Sequence, residues 1–251
     1  GSFLANRSRI KCGMTPERVT DWTLVIGHFL LYPTSRMLTL AINTASSVES
    51  VAVISGKKLI AEKVWRSNKD ESEKLLPAIT ALLKKSKYQF KDIGKIIVVN
   101  GPGPFSAVRI GVTVANIMAN SLGIPIFTID TKTLWVNRTK DKNAILLIHA
   151  GGHFVSITIP NKKSKLAPIE EVIKKLPATP LSFFGDITEN EMRVFNESKE
   201  KNWKMILEKQ LKSFGKTLLS ISSKLKKVDT AIPAYFRPPN ITKSTKPKMS
   251  S

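Results

Sequence analysis

The sequence predicts an α/β fold in two subdomains, and three observations predict it. Three short apolar strands follow one another through tight turns between Met37 and Trp65. Two helices with apolar faces then alternate with two buried strands up to Asp130. Beyond residue 138 a smaller and less regular set of strands and helices follows.

Each element has its own signal. "MLTLAIN" ends the first strand at Asn43, "SVAVIS" is the second after the turn "TASSVE", and "LIAEKVW" is the third after the hairpin turn "GKK". In "KDESEKLLPAITALLKKSK", Leu75, Leu76, Ile79, Leu82 and Leu83 recur at helical spacing, with acids in the first turn and lysines in the last. Pro77 lacks an amide hydrogen, so it belongs in or near the first turn or marks a kink. "KIIVVN" is a buried strand, "FSAVRIGVTVANIMANSLG" a helix closed by Gly123, "IPIFTID" a fifth strand and "TKTLWVNRT" a short helix. The order βββαβαβ is that of a ribonuclease-H-like half-domain, the building block of actin-like ATPase folds. In the second part, "NAILLIHAGGHFVSITIP" reads as a hairpin turning at Gly151 and Gly152, "LSFFGD" as a strand and "ITENEMRVFNES" as a helix. "WKMILEKQLKSFGKTLLSISSKLKK" reads as one or two amphipathic helices, and no internal repeat is visible.

These elements give a first subdomain over residues 37–138, a smaller one over 139–240 and a basic, disordered tail over 241–251. Residues 1–36 read as an extension outside the fold, with Gly1-Ser2 resembling a cloning scar. Its apolar run Trp22–Tyr32 is too short to span a bilayer and lacks a small-x-small cleavage site. With one cysteine, Cys12, among 251 residues, an internal disulfide framework and a cysteine zinc site are excluded, and a cytoplasmic location is expected. The net charge of +21 admits a polyanionic partner, but the lysines are scattered over many faces. Direct tRNA binding by the lysine-rich C-terminal region is therefore the weaker of the functional ideas.

Little in the sequence assembles an active site. A ribonuclease-H-like nuclease needs converging carboxylates, yet the first strand ends in Asn43, and Asp130 reads as a helix N-cap. The loop "GPGPFSAVRIG" opens a helix, but Pro102 and Pro104 each remove an amide that would hold phosphate, and Ser106 stands where a dinucleotide fingerprint has its third glycine. Arg109 is placed to meet an anion or an acid. Gly101, Gly103, Phe105, Ser106 and Gly111 are accordingly expected to form a rigid shaped turn. His28, His149 and His153 lack ligand partners at metal-site spacing. The second helix is apolar on more than one side, with Val108, Val112, Ala115, Ala119 and Leu122 on one face and Val114, Ile117 and Met118 widening it. The surplus predicts a partner protein; the alternative is cover by the chain's own C-terminal region.

The segments "LAINTASSVESVAV", "ESEKLLPAITALL" and "NGPGPFSAVRIGVTVANIMANSLGIPIFTIDTKTL" resemble the TsaB (YeaZ) family, as does the closing "PAYFRP". That family supplies the non-catalytic dimerisation subunit of the bacterial tRNA threonylcarbamoyladenosine complex. The resemblance implies an actin-like pair of subdomains that scaffolds TsaD, the metal-bearing subunit that modifies the adenosine beside the anticodon in tRNAs reading codons that begin with A. It further implies a TsaE-like ATPase as partner, tRNA contact through the complex, a homodimer when alone, and no membrane. It places the seam at Leu75, Leu76, Ile79, Leu83, Arg109, Val112, Ala115 and Ala119. No resident cofactor or metal is implied beyond weak ATP or ADP binding at the subunit interface. Asn43, Pro104 and Ala107 depart from the family's aspartate, serine and glycine, and "HAGGHFVSI" carries none of its usual charges. A divergent actin-like ATPase or kinase with its own nucleotide site is the alternative function.

Overall fold

The structure, a computed structural model, describes residues 25–26, 29–30, 38–197 and 202–237. The chain divides into two compact units, Gly1–Arg36 and Met37–Ser251. In the first, Val25–Ile26 and Phe29–Leu30 pair as a two-residue antiparallel ladder. Cys12, His28 and the tail 241–251 lie outside the described residues.

The second unit holds two sheets. The first is built from β1 (Leu38–Asn43), β2 (Val48–Ser55), β3 (Lys58–Arg66), α1 (Glu71–Lys85), β4 (Ile93–Val99), α2 (Phe105–Leu122), β5 (Ile126–Ile129) and α3 (Thr131–Val136). The second is built from β6 (Ile145–His149), β7 (Phe154–Thr158), β8 (Lys165–Pro168), α4 (Ile169–Lys175), β9 (Leu181–Asp186), α5 (Glu189–Glu197) and β10 (Trp203–Met205). The chain then adds α6 (Phe214–Ile221) and β11 (Lys226–Val228).

Both sheets have one topology. The first runs β11-β5-β4-β1-β2-β3, and the second runs β8-β7-β6-β9-β10. In each, three antiparallel strands are followed by two parallel ones reached over helices. The ribonuclease-H-like order thus occurs twice, a repeat invisible in the sequence because topology, not residue identity, was copied. Of the one or two amphipathic helices expected over 203–227, one is present, α6, and the strands β10 and β11 flank it. The second subdomain also ends sooner than residue 240, because β11 pairs with β5 and Gly215 of α6 packs on Ala52 of β2. Pro77 sits inside α1, in its second turn.

Packing explains the strand patterns. β1 is buried at all six positions because helices cover both faces of the first sheet, so it shows no polar alternation. On β6, Ile145 and Leu147 join a core with Ile169, Val172, Phe183 and Phe195. Leu146 and Ile148 join the larger core with Trp135 and Phe214. Alternate side chains of one strand therefore feed two cores. Gly185 of β9 is required by close approach: at φ 140°, a Cβ would stand 1.8 Å from the Leu147 carbonyl oxygen.

One buried polar group lacks an obvious reward. Glu49 of β2 is fully buried, and neither carboxylate oxygen has a hydrogen-bond partner. Burial, with Glu71 and Asp70 nearby, pushes its carboxyl up to about 8. The folded state then holds a proton that the unfolded chain has lost, so stability falls between pH about 4.5 and about 8, by up to about 1.4 kcal/mol per pH unit. Denaturant titrations across that range should show this slope in the native chain and a shallower one, by about one proton, in Glu49→Gln.

Candidate functional site

The β1–β2 turn, Asn43 to Ser47, is the point on which the surrounding elements converge. Asn43 Oδ1 accepts from the Ala45 amide at 3.1 Å, which tightens the turn. Thr44 Oγ1 donates to the Ala107 carbonyl at 2.7 Å, tying the first turn of α2. Trp135 Nε1 donates to Ser46 Oγ at 3.2 Å. The Ser47 amide donates to Asp186 Oδ2 at 2.6 Å, and the Ser47 hydroxyl donates to Asp186 Oδ1. One five-residue turn thus touches α2, α3 and the end of β9 in the second sheet.

The glycine-rich loop lies against this turn. A Cβ at Gly103 would be 2.3 Å from the Ala45 carbonyl oxygen, and one at Gly101, where φ is 104°, would be 2.3 Å from that of Ala234. A Cβ on Gly111 would meet Thr44 Oγ1 at 2.1 Å. Backbone occupies the space beside Gly101 and Gly103, and the Thr44 side chain occupies that beside Gly111. Asp130 is an N-cap, its Oδ1 accepting from the Thr133 amide at 2.8 Å. Phe105 packs on Tyr235 with ring centroids 4.5 Å apart, and exposed Arg109 lies over the Phe105 ring. Ser106 is exposed.

Beside Asp186 lies a second polar group that sequence spacing hid. His149 Nδ1 is 2.7 Å from Glu191 Oε1, although the two are far apart in the chain. Glu191 also accepts from the Thr188 amide at 2.7 Å, so it caps α5 and holds the imidazole at once. The Glu191 hydrogen bond raises the His149 pKa above its ordinary 6.5, and burial pushes the Asp186 carboxyl up against the pull of the Ser47 hydrogen bonds. Arg237 crosses from the C-terminal strap to donate to the carbonyls of Ala150 (3.2 Å) and Gly151 (2.7 Å) and lies over Phe154. His149 is thus a paired residue and not a free hairpin histidine, and its nearest polar contact is a carboxylate, with the Ser47 hydroxyl already engaged by Asp186. Among the described residues His153 makes no such pair. Among the described residues no group of three or more histidine, cysteine, aspartate and glutamate side chains is arranged to hold a metal ion.

The two helices present a different picture from the one expected. Leu75, Ile79, Leu83, Val112, Ala115 and Ala119 are all buried in the chain's own core. They cannot form a seam, because the sheet beneath already covers that stripe. Only Leu76 and Arg109 of the expected set are exposed. The uncovered apolar surface lies at Leu76 (47% exposed), on the flank of the buried α1 stripe, and at Ile117 (60% exposed), on the far side of α2. The strap covers one flank of α2: the Asn116 side chain and the Ala231 backbone exchange two hydrogen bonds of 2.9 Å each. Intramolecular cover is therefore real but partial. Among the described residues no helix is long and apolar enough to cross a membrane.

A family model described as TsaD, tRNA N6-adenosine threonylcarbamoyltransferase, matches residues 60–227. The tRNA threonylcarbamoyladenosine biosynthesis protein TsaB of Bacillus subtilis (strain 168) is 37% identical over 102 residues, 40% of this chain and 44% of the relative. The chain belongs to this family, in its TsaB (YeaZ) branch. TsaB of Buchnera aphidicola subsp. Schizaphis graminum is 33% identical over 115 residues, 44% of this chain and 54% of that protein. The chain spans about half the length of these curated TsaB relatives. The solved structure of YeaZ from Pseudomonas aeruginosa superposes with a TM-score of 0.60 at 17% identity, covering 80% of this chain and all of that one, which establishes a shared TsaB fold.

Two outcomes follow for the TsaB-like site. Gly111→Ala should cost about 1–3 kcal/mol by overpacking against Thr44, and a thermal melt of Gly111→Ala combined with Thr44→Ala should recover part of the loss. In NMR titrations His149 should lose its proton above pH 6.5, and Glu191→Gln should lower that midpoint. The sign for stability is that the His149 pair contributes below the unfolded pKa and is lost as pH rises through the folded one.

Proposed function

We propose that this chain is a non-catalytic TsaB-like scaffold in the formation of threonylcarbamoyladenosine on tRNA, and that it holds a TsaD-like catalytic subunit. The outer stripe of α1 and α2 is the docking surface. One observation carries the reading: Leu76 on α1 and Ile117 on α2 stay exposed although both helices already bury a full apolar stripe beneath them. Packed helices that leave large apolar side chains outward fit a helix-bundle contact with a second protein. The family model described as TsaD and the names of the relatives support this reading.

The packing of the glycine loop supports the same division of labour. The Cα faces of Gly101 and Gly103 are filled by the backbone of Ala234 and Ala45, and Pro102 and Pro104 offer no amide hydrogen to a phosphate, so this reading gives nucleotide chemistry to the partner subunit and to a TsaE-like ATPase. tRNA is reached through the cytoplasmic complex, and the same apolar stripe pairs two copies when the chain is alone.

Co-expression with the TsaD of the same genome tests this. The native chain should co-purify with it, and the double variant Leu76→Glu, Ile117→Glu should lose the complex while keeping its melting temperature, since both residues face outward. Retained co-purification by that variant overturns the seam, and ATP turnover by the purified chain alone overturns the scaffold.

A further inference from the structure

Six lysines, five of them exposed and Lys95 half-buried, lie along one pole of the first sheet. Lys84 and Lys85 close α1, Lys87 follows its cap, and Lys91 lies in the 3-10 turn Phe90–Asp92 that leads into β4. Lys95 follows in β4, and its Nζ stands 5.6 Å from the centroid of the Phe127 ring on β5. Phe127 is in turn the register partner of Lys227 on β11. The antiparallel pairing places the Phe127 and Lys227 side chains on one face, so the ring has a cation on each side. Phe90 adds a second ring, 38% exposed.

Three features make this pole a ligand surface instead of an ordinary solvated face. Among the described residues, none of these six lysines takes part in an ion pair. Asp92, the acid within the stretch, is occupied as a cap, its Oδ2 accepting from the Gln89 amide at 2.8 Å. And the cations are interleaved with aromatic rings, an arrangement that folding creates by bringing β11 beside β5. Lysine is depleted in the centre of protein–protein interfaces, whereas phosphate backbones require it and aromatic faces accept bases irrespective of sequence.

We infer that this pole, formed by the segment from Lys84 to Lys95 together with Phe127 and Lys227, is an RNA-binding surface. The lysine ammonium groups neutralise phosphates, and Phe127 and Phe90 offer platforms for unpaired bases. That the RNA is tRNA, through one of its loops or its single-stranded end, rests on the scaffold reading above. The surface is separate from the docking stripe: Lys84 lies eight residues after Leu76 on α1, about 12 Å along the helix axis. One chain is thereby able to hold a catalytic subunit and its RNA on adjoining faces.

Fluorescence anisotropy of a labelled tRNA transcript and a labelled single-stranded oligoribonucleotide, titrated with the full chain over a salt series, tests the surface. Binding should weaken steeply with salt, with a log–log slope of roughly −3 to −4 if four to six phosphates are neutralised. Lys95→Gln combined with Lys227→Gln should make that slope shallower by about one to two and weaken binding roughly tenfold or more at low salt. Phe127→Leu should weaken binding about tenfold with the slope unchanged. Binding by both variants equal to the native chain overturns the site, as does equal competition by polyglutamate, which would make the ligand an acidic protein. TsaD capture by the two lysine substitutions should be intact. A chain that binds RNA through these residues but captures no TsaD overturns the scaffold reading and leaves this surface standing.

Discussion

The fold depends on how one short turn fills its polar valences. Residues Asn43 to Ser47 are almost wholly removed from water, so each of their hydroxyls and amides needs a partner. Those partners come from the glycine loop, from α3 and from the far sheet, and satisfying them fixes where each of the three must lie. Glycines follow as a consequence, since the second helix can only start that close to Thr44 and Ala45 if it carries no side chain there. A turn that serves as a phosphate cradle needs its amides free; here those of Ala45 and Ser47 are bound to Asn43 and Asp186.

The same economy of surface shapes the two helices. Their inner stripes complete the core of the first sheet and their outer stripes stay bare. Identifying which stripe is which requires knowing where the sheet lies, and that separates a residue that grips a partner from one that keeps the monomer folded. Ala115, fully enclosed, belongs to the second kind; Ile117, two residues on and turned away by the helical pitch, is 60% exposed.

Much of the first sheet was legible because its signals are local. The hairpin at Gly56, the left-handed cap at Gly123 and the cap at Asp130 each involve residues a few positions apart. The second sheet was only half legible. Gly151 and Gly152 marked its first hairpin, but β8, α4 and the three-residue strand β10 are too short to carry a period. The site was hardest to read. His149 with Glu191, and Ser47 with Asp186, are joined by the fold across long stretches of chain, and no spacing rule reaches that far. The closing Pro-x-Tyr-x-Arg was the one local hint, since Tyr235 and Arg237 do reach back to both sheets.

The return of the chain to its first sheet has a consequence for biosynthesis. The second sheet is threaded as an insertion between α3 and α6, so β5 stays an open edge until β11, close to the last described residue, has left the ribosome. Until then a nascent chain exposes the outer edge of β5, whose inner edge pairs with β4, and that edge invites pairing with a neighbouring nascent chain. Sealing that edge is the task of three residues, two of them lysines whose charge discourages the wrong strand from adding there.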